Sequence, residues 1–155
     1  MRLKDILTPD NILVVDSYPD TGSLYADFAF FLHRQGVIRE WEKVKRLFIK
    51  REGVQSTAIG KGAASPHIYA DEFKEFIVYL VSIRQGLDFK APDGDKVFLV
   101  FLIMSDERDV GRHLKTLAHI ARLVTGTQVV MAGKTARTPE ELLAIVLDAE
   151  AALAL

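Results

Sequence analysis

Apolar and polar positions alternate along the chain in two distinct rhythms. Residues 11–16 (NILVVD) form a short apolar run after Pro9-Asp10 and predict a strand. From Asp20 to Gln35 the period becomes helical. Asp20, Thr21 and Ser23 offer N-cap oxygens, Leu24, Phe28, Phe31 and Leu32 share a face, and Gly36 suits the left-handed stop. A second helix is predicted over 39–52, with Trp41, Val44, Leu47 and Phe48 as its stripe and Gly53 to end it. Residues 76–83 (FIVYLVSI) and 97–105 (VFLVFLIMS) are continuous apolar runs rich in β-branched and aromatic residues, as expected of strands covered on both faces. Ala91-Pro92-Asp93-Gly94-Asp95 predicts a turn between them. A helix is predicted over 107–124, its apolar stripe made by Val110, Leu114, Leu117, Ala121 and Val124. Thr138-Pro139-Glu140-Glu141 has the N-cap, the first-turn proline and the acidic first turn of a last helix. Strands with two covered faces among helices imply an α/β fold: a single layered domain spanning 1–155, with helices on both sides of the sheet.

Composition narrows the chemistry. With 155 residues and 49% hydrophobic positions the chain can bury one sizeable core. Twenty basic residues against 21 acidic give a net charge of -1, so no strong field recruits nucleic acid or an anionic membrane. No run approaches a membrane span, and a cytoplasmic location is the expectation. The absence of cysteine excludes disulfides, thiolate metal sites and cysteine nucleophiles.

The candidate chemistry therefore rests on four histidines. His33, in the last turn of the first helix, reads as a surface or capping residue. His119 points roughly opposite the predicted stripe of its helix and reads as solvated. His113 lies about 60° from the centre of that stripe, at the border between core and water. His67 closes the stretch Ser56–Pro66 (STAIGKGAASP), which is small and glycine-containing and reads as a loop whose backbone approaches something closely. Pro66 restricts Ser65 and so sets the position of the ring. Arg51 falls on the inward side at the end of the second helix. An arginine, loop amides and an imidazole together suit a phosphate. The Gly60-Lys61-Gly62 pattern lacks nucleotide-loop spacing. The histidines lack carboxylates in ligand spacing, so no metal and no cofactor are expected.

Arg51-Glu52, the segment Ser56–His67 and His113-Leu114 before a helical run resemble the enzyme IIA domain of the bacterial phosphoenolpyruvate-dependent phosphotransferase system. The branch is the fructose/mannitol type, which includes the nitrogen-regulatory IIA proteins, and the resemblance covers nearly the whole chain. Ala58 stands where that family usually has glycine. Ser65 replaces a common apolar residue. Ile68-Tyr69 follows the histidine, with Asp71 and Glu72 beyond, in place of a small and then a basic residue. The resemblance implies a mixed sheet. It implies His67 as the phosphorylated histidine, His113 as a second active-site histidine near the phosphate, and Arg51 as the compensating cation. Thr57, Gly60, Gly62 and Ala64 are the expected phosphate loop, its amides adding donors. The implied donor is an HPr-like phosphocarrier, and the recipient is a IIB domain or a regulatory target protein. The absence of a fused partner module tilts the expectation toward a regulatory protein over a transport component. A binding module without phosphotransfer is a third class, which the joint retention of Arg51, His67 and His113 disfavours.

Overall fold

The computed structural model describes residues 2–153. In chain order it contains β1 (Ile12–Val15), α1 (Thr21–Arg34), α2 (Trp41–Val54), β2 (Ala58–Gly60), β3 (Ala63–Ala64) and β4 (His67–Tyr69). There follow β5 (Ile77–Leu87), β6 (Val97–Ser105), α3 (Val110–Gly126), α4 (Val129–Gly133) and α5 (Pro139–Ala152). The strands form one mixed sheet in the order β1-β5-β6-β3-β2, with β4 added to β6 beyond the end of β3. β5 and β6 run antiparallel at its centre; β1 pairs in parallel with β5, β3 and β4 pair in parallel with β6, and β2 pairs antiparallel with β3.

The two central strands alternate between two apolar layers. Tyr79, Val81, Ile83, Val100, Leu102 and Met104 face the layer made by α1 and α2, while Val78, Leu80, Leu99, Phe101 and Ile103 face the layer made by α3, α4 and α5. This is why neither strand shows a polar side in the sequence. The caps act as predicted: Asp20 accepts from the Ser23 amide at 2.7 Å, and Thr138 accepts from the Glu141 amide at 3.1 Å. The Gly94 amide closes the predicted turn on the Ala91 carbonyl at 3.0 Å. No helix is long and apolar enough to cross a membrane among the described residues.

Two expectations are corrected. The stretch 56–66 is not a free loop: β2 and β3 form a tight hairpin on the sheet edge. Ala63 and Ala64 are fully buried there, because methyl-sized side chains fit beneath the neighbouring layers and leave no periodic signature. The second concerns α3, which begins at Val110 after a 3-10 turn at Glu107–Asp109. Its buried face is His113, Thr116, His119, Ile120, Leu123 and Val124, whereas Val110 and Leu114 are 46% and 62% exposed. Two histidines occupy the apolar face and shift its apparent centre. The sequence also gave no sign of α4, a single short turn of helix.

Candidate functional site

The site is assembled at the end of the sheet where β4 lies beside β6. His67 opens β4 opposite Ile103, and Tyr69 lies opposite Ser105. Residues two apart on a strand share a face, so His67 and Tyr69 present to the same side. Pro66 brings the chain into this pairing, its carbonyl accepting from the Ile103 amide at 3.0 Å.

The His67 ring is half-buried, and its Nδ1 lies 3.0 Å from the Ser65 carbonyl oxygen. A carbonyl only accepts, so Nδ1 carries the proton and Nε2 holds the free lone pair of a neutral ring. Ser65 is in turn held by its amide, which donates to the Thr57 carbonyl at 3.0 Å.

His113 is fully buried, a correction to the boundary position read from the helical wheel. Tyr69 stacks on it with ring centroids 4.2 Å apart, and Phe76 meets it edge-on at 5.5 Å. The His67 ring stands at 6.3 Å and 70° to it. The His113 Nε2 lies 2.6 Å from Ser105 Oγ. Burial, and then the neighbouring His67, push its pKa down to about 4, against an opposing effect of Asp109. The ring is therefore neutral near pH 7.

Arg51 lies in the last turn of α2 and donates from Nη1 to the Gln55 carbonyl at 2.8 Å; no hydrogen bond joins it to His67 among the described residues. It lies one helical turn beyond Leu47, which shares a cleft of about 520 Å³ with Lys43, Tyr69, Asp71, Asp106 and Arg108. The structure thus brings His67 and His113 together directly and places Arg51 on the adjoining helix.

Glu52 is the residue that spacing arguments overlooked. It accepts from the Thr57 amide and the Thr57 hydroxyl, each at 2.7 Å, and from the Tyr25 hydroxyl. Thr57 is thereby buried and fixed, and through its carbonyl it fixes Ser65 and the His67 ring. The available signal was the Arg51-Glu52 pair itself.

The glycines take a different place from the one expected. Ala63 and Ala64 lie opposite Leu99 and Val100, whereas His67 lies opposite Ile103. Four residues of strand separate Leu99 from Ile103, about 13 Å at ~3.3 Å per residue. Gly60 ends β2 paired with Ala63, and Gly62 lies in the β2–β3 turn, so their amides are not gathered around the His67 ring. Gly62 has φ +85°, and a Cβ there would sit 2.9 Å from Val130 Cγ1, a local reason for glycine. Ala64 is buried in the sheet.

The remaining histidines have structural surroundings. His33 is exposed at the end of α1, its Nδ1 3.3 Å from the Ile38 carbonyl. His119 corrects the solvated reading: it is only 7% exposed, with Nε2 2.6 Å from Glu150 Oε2. Glu150 also accepts from the Leu3 and Lys4 amides at 2.6 and 3.1 Å. Burial works to raise the Glu150 pKa, but these hydrogen bonds outweigh it and hold the carboxyl below its usual value. On the rim, Glu72 accepts from the Arg39 and Glu40 amides at 3.1 and 2.9 Å, and Asp71 faces Lys43 at 3.7 Å, so both added acids have partners.

The mixed sheet thus holds a half-buried imidazole with one nitrogen free beside a second, buried imidazole. The chain belongs to the EIIA 2 family of the phosphoenolpyruvate-dependent sugar phosphotransferase system, whose model matches residues 5–149. It is 28% identical over 150 residues to the nitrogen regulatory protein of Pseudomonas aeruginosa, covering 97% of each chain. The nitrogen regulatory protein IIA-Ntr of Neisseria meningitidis superposes with a TM-score of 0.82 at 26% identity, over 93% of this chain and 98% of that one. The fold also matches the complex of enzyme IIAMtl and phosphorylated enzyme IIBMtl from Escherichia coli. There the TM-score is 0.75 at 17% identity, over 92% of this chain and 97% of that one.

Proposed function

We propose that the protein is a phosphohistidine carrier that accepts a phosphoryl group on His67 Nε2 from an HPr-like donor. The observation that carries this reading is the 3.0 Å hydrogen bond from His67 Nδ1 to the Ser65 carbonyl. It keeps the proton on one nitrogen and leaves the other as a nucleophile. The Nε2 lone pair forms the new N–P bond while the donor's N–P bond breaks and returns its electron pair to the donor imidazole. The proton stays on His67 Nδ1, donated to the Ser65 carbonyl throughout, so no proton has to leave the attacking nitrogen. Positioning and charge compensation dominate such a transfer. Arg51 supplies the compensating cation by turning from the Gln55 carbonyl, contributing about 1.5–3 kcal/mol through a charged hydrogen bond. Val110 and Leu114, exposed on α3 on either side of His113, provide apolar surface for a docking protein.

Incubation with phosphoenolpyruvate, enzyme I and HPr should place one acid-labile phosphate on His67. A His67→Gln protein that still takes up label at that level overturns the assignment.

Similarity to the nitrogen regulatory proteins supports a regulatory role, in which phosphorylation adds nearly two negative charges to a nearly neutral surface. The match to a IIA protein in complex with IIB keeps delivery to a separate IIB protein as the second reading. Pull-downs with loaded and unloaded protein separate them: capture of a IIB domain as the sole phosphorylation-dependent partner selects transport.

A further inference from the structure

Ser105 ends β6, is fully buried, and touches the equally buried His113. Its hydroxyl has a single proton. Ser105 Oγ lies 2.8 Å from the Asp106 carbonyl oxygen, which only accepts, so that proton points to Asp106. The 2.6 Å contact between Ser105 Oγ and His113 Nε2 is then supplied by an N–H of the imidazole. A neutral imidazole has one N–H, so Nδ1 is left as a bare lone pair. That atom is buried and has no hydrogen-bond partner among the described residues. Tyr69 stacks on the ring and Phe76 meets it edge-on, so both pack against it where it is buried. A buried, unpartnered polar atom calls for an explanation, and the neighbouring polar ring is His67.

We propose that Ser105 is a positioning residue that switches the tautomer of His113 when His67 is loaded. The inference rests on the phosphohistidine reading of His67. In the free protein His113 donates from Nε2 to Ser105. With a phosphoryl group on His67, the Ser105 hydroxyl turns from the Asp106 carbonyl and donates to Nε2. The imidazole proton then resides on Nδ1, where it is a donor to a phosphoryl oxygen. Water reaching the site from the His67 side gives a proton to Nδ1 and takes up the one released from Nε2, so the ring stays neutral; the Asp106 carbonyl gives up one donor. Serine suits this role because a hydroxyl both donates and accepts.

Long-range 1H–15N spectra of the histidine rings test the switch before and after loading with phosphoenolpyruvate, enzyme I and HPr. The expected result is an Nε2–H tautomer of His113 in the free protein and an Nδ1–H tautomer in the loaded one. In Ser105→Ala the free ring should populate both tautomers and loading should slow about tenfold, with Ser105→Thr restoring both. Three results overturn the switch: one tautomer in both states, a doubly protonated ring in the loaded state, or a Ser105→Ala protein with the parent's tautomer and rate. Absence of phosphate on His67 instead overturns the functional reading. The free-state spectrum judges Ser105 independently, since an Nδ1–H tautomer there rules out the hydrogen bond assigned to it.

Discussion

Tyr69 lies nearly parallel to His113, with ring centroids 4.2 Å apart and planes 26° apart, on the same strand as His67. One short strand therefore carries both the histidine with the free nitrogen and the aromatic plate that holds its buried neighbour. Tyr69→Ala should lower stability by about 1–2 kcal/mol in chemical denaturation. It should also slow phosphoryl loading, because the His113 ring loses its plate. Tyr69→Phe, which keeps the stack, should stay near the parent on both measures.

Glu52 ties the end of α2 to the segment that presents His67. Glu52→Ala leaves the Thr57 amide and hydroxyl and the Tyr25 hydroxyl without their acceptor. Loss of this half-buried charged acceptor costs about 1.5–3 kcal/mol. Loading of His67 should slow in the folded fraction, measured by label uptake at saturating donor, because Thr57 no longer fixes Ser65. A Glu52→Ala protein with unaltered loading would remove Glu52 from the support of the site.

Stability should fall as the pH is lowered from about 6.5 to about 4. In the unfolded chain an ordinary imidazole gains its proton near pH 6.5. In the folded protein burial holds His113 neutral until about pH 4. Between those values the unfolded state binds more protons, so acid favours unfolding, by up to about 3 kcal/mol for this ring. Denaturation midpoints measured across that window should show the slope, and His113→Gln should flatten it.

His119 and Glu150 form a buried pair that also receives the Leu3 and Lys4 amides, joining α3, α5 and the first turn of the chain. Glu150→Ala removes one partner and leaves three donors unanswered, at a cost of about 3–5 kcal/mol. His119 lies six residues beyond His113, about 9 Å along the helix. Loading of His67 per folded molecule should therefore be retained, as read from label uptake normalised to folded protein. The Glu150 carboxyl, held below its usual value, adds stability that is lost as the pH falls through that lowered value.

Much of this architecture was legible along the chain. Residues 76–83 and 97–105 lack a polar side because helices cover both faces of the sheet, and the Asp20 and Thr138 caps announce α1 and α5 by local hydrogen bonds. His67 was legible as a candidate because Ser65-Pro66 constrains the backbone next to it, and its neighbour in space, His113, was legible from the His113-Leu114 pair. The environment of each polar group was set instead by long-range packing. Burial of His113 and His119 depends on partners remote in sequence: Tyr69 and Phe76 around one, Glu150 against the other. The separation of Gly60 and Gly62 from His67 follows from strand register along β6, which small residues do not encode. Hydrogen-bond partners and register are relations between distant segments, and a one-dimensional pattern of apolar and polar positions carries only what each segment does by itself.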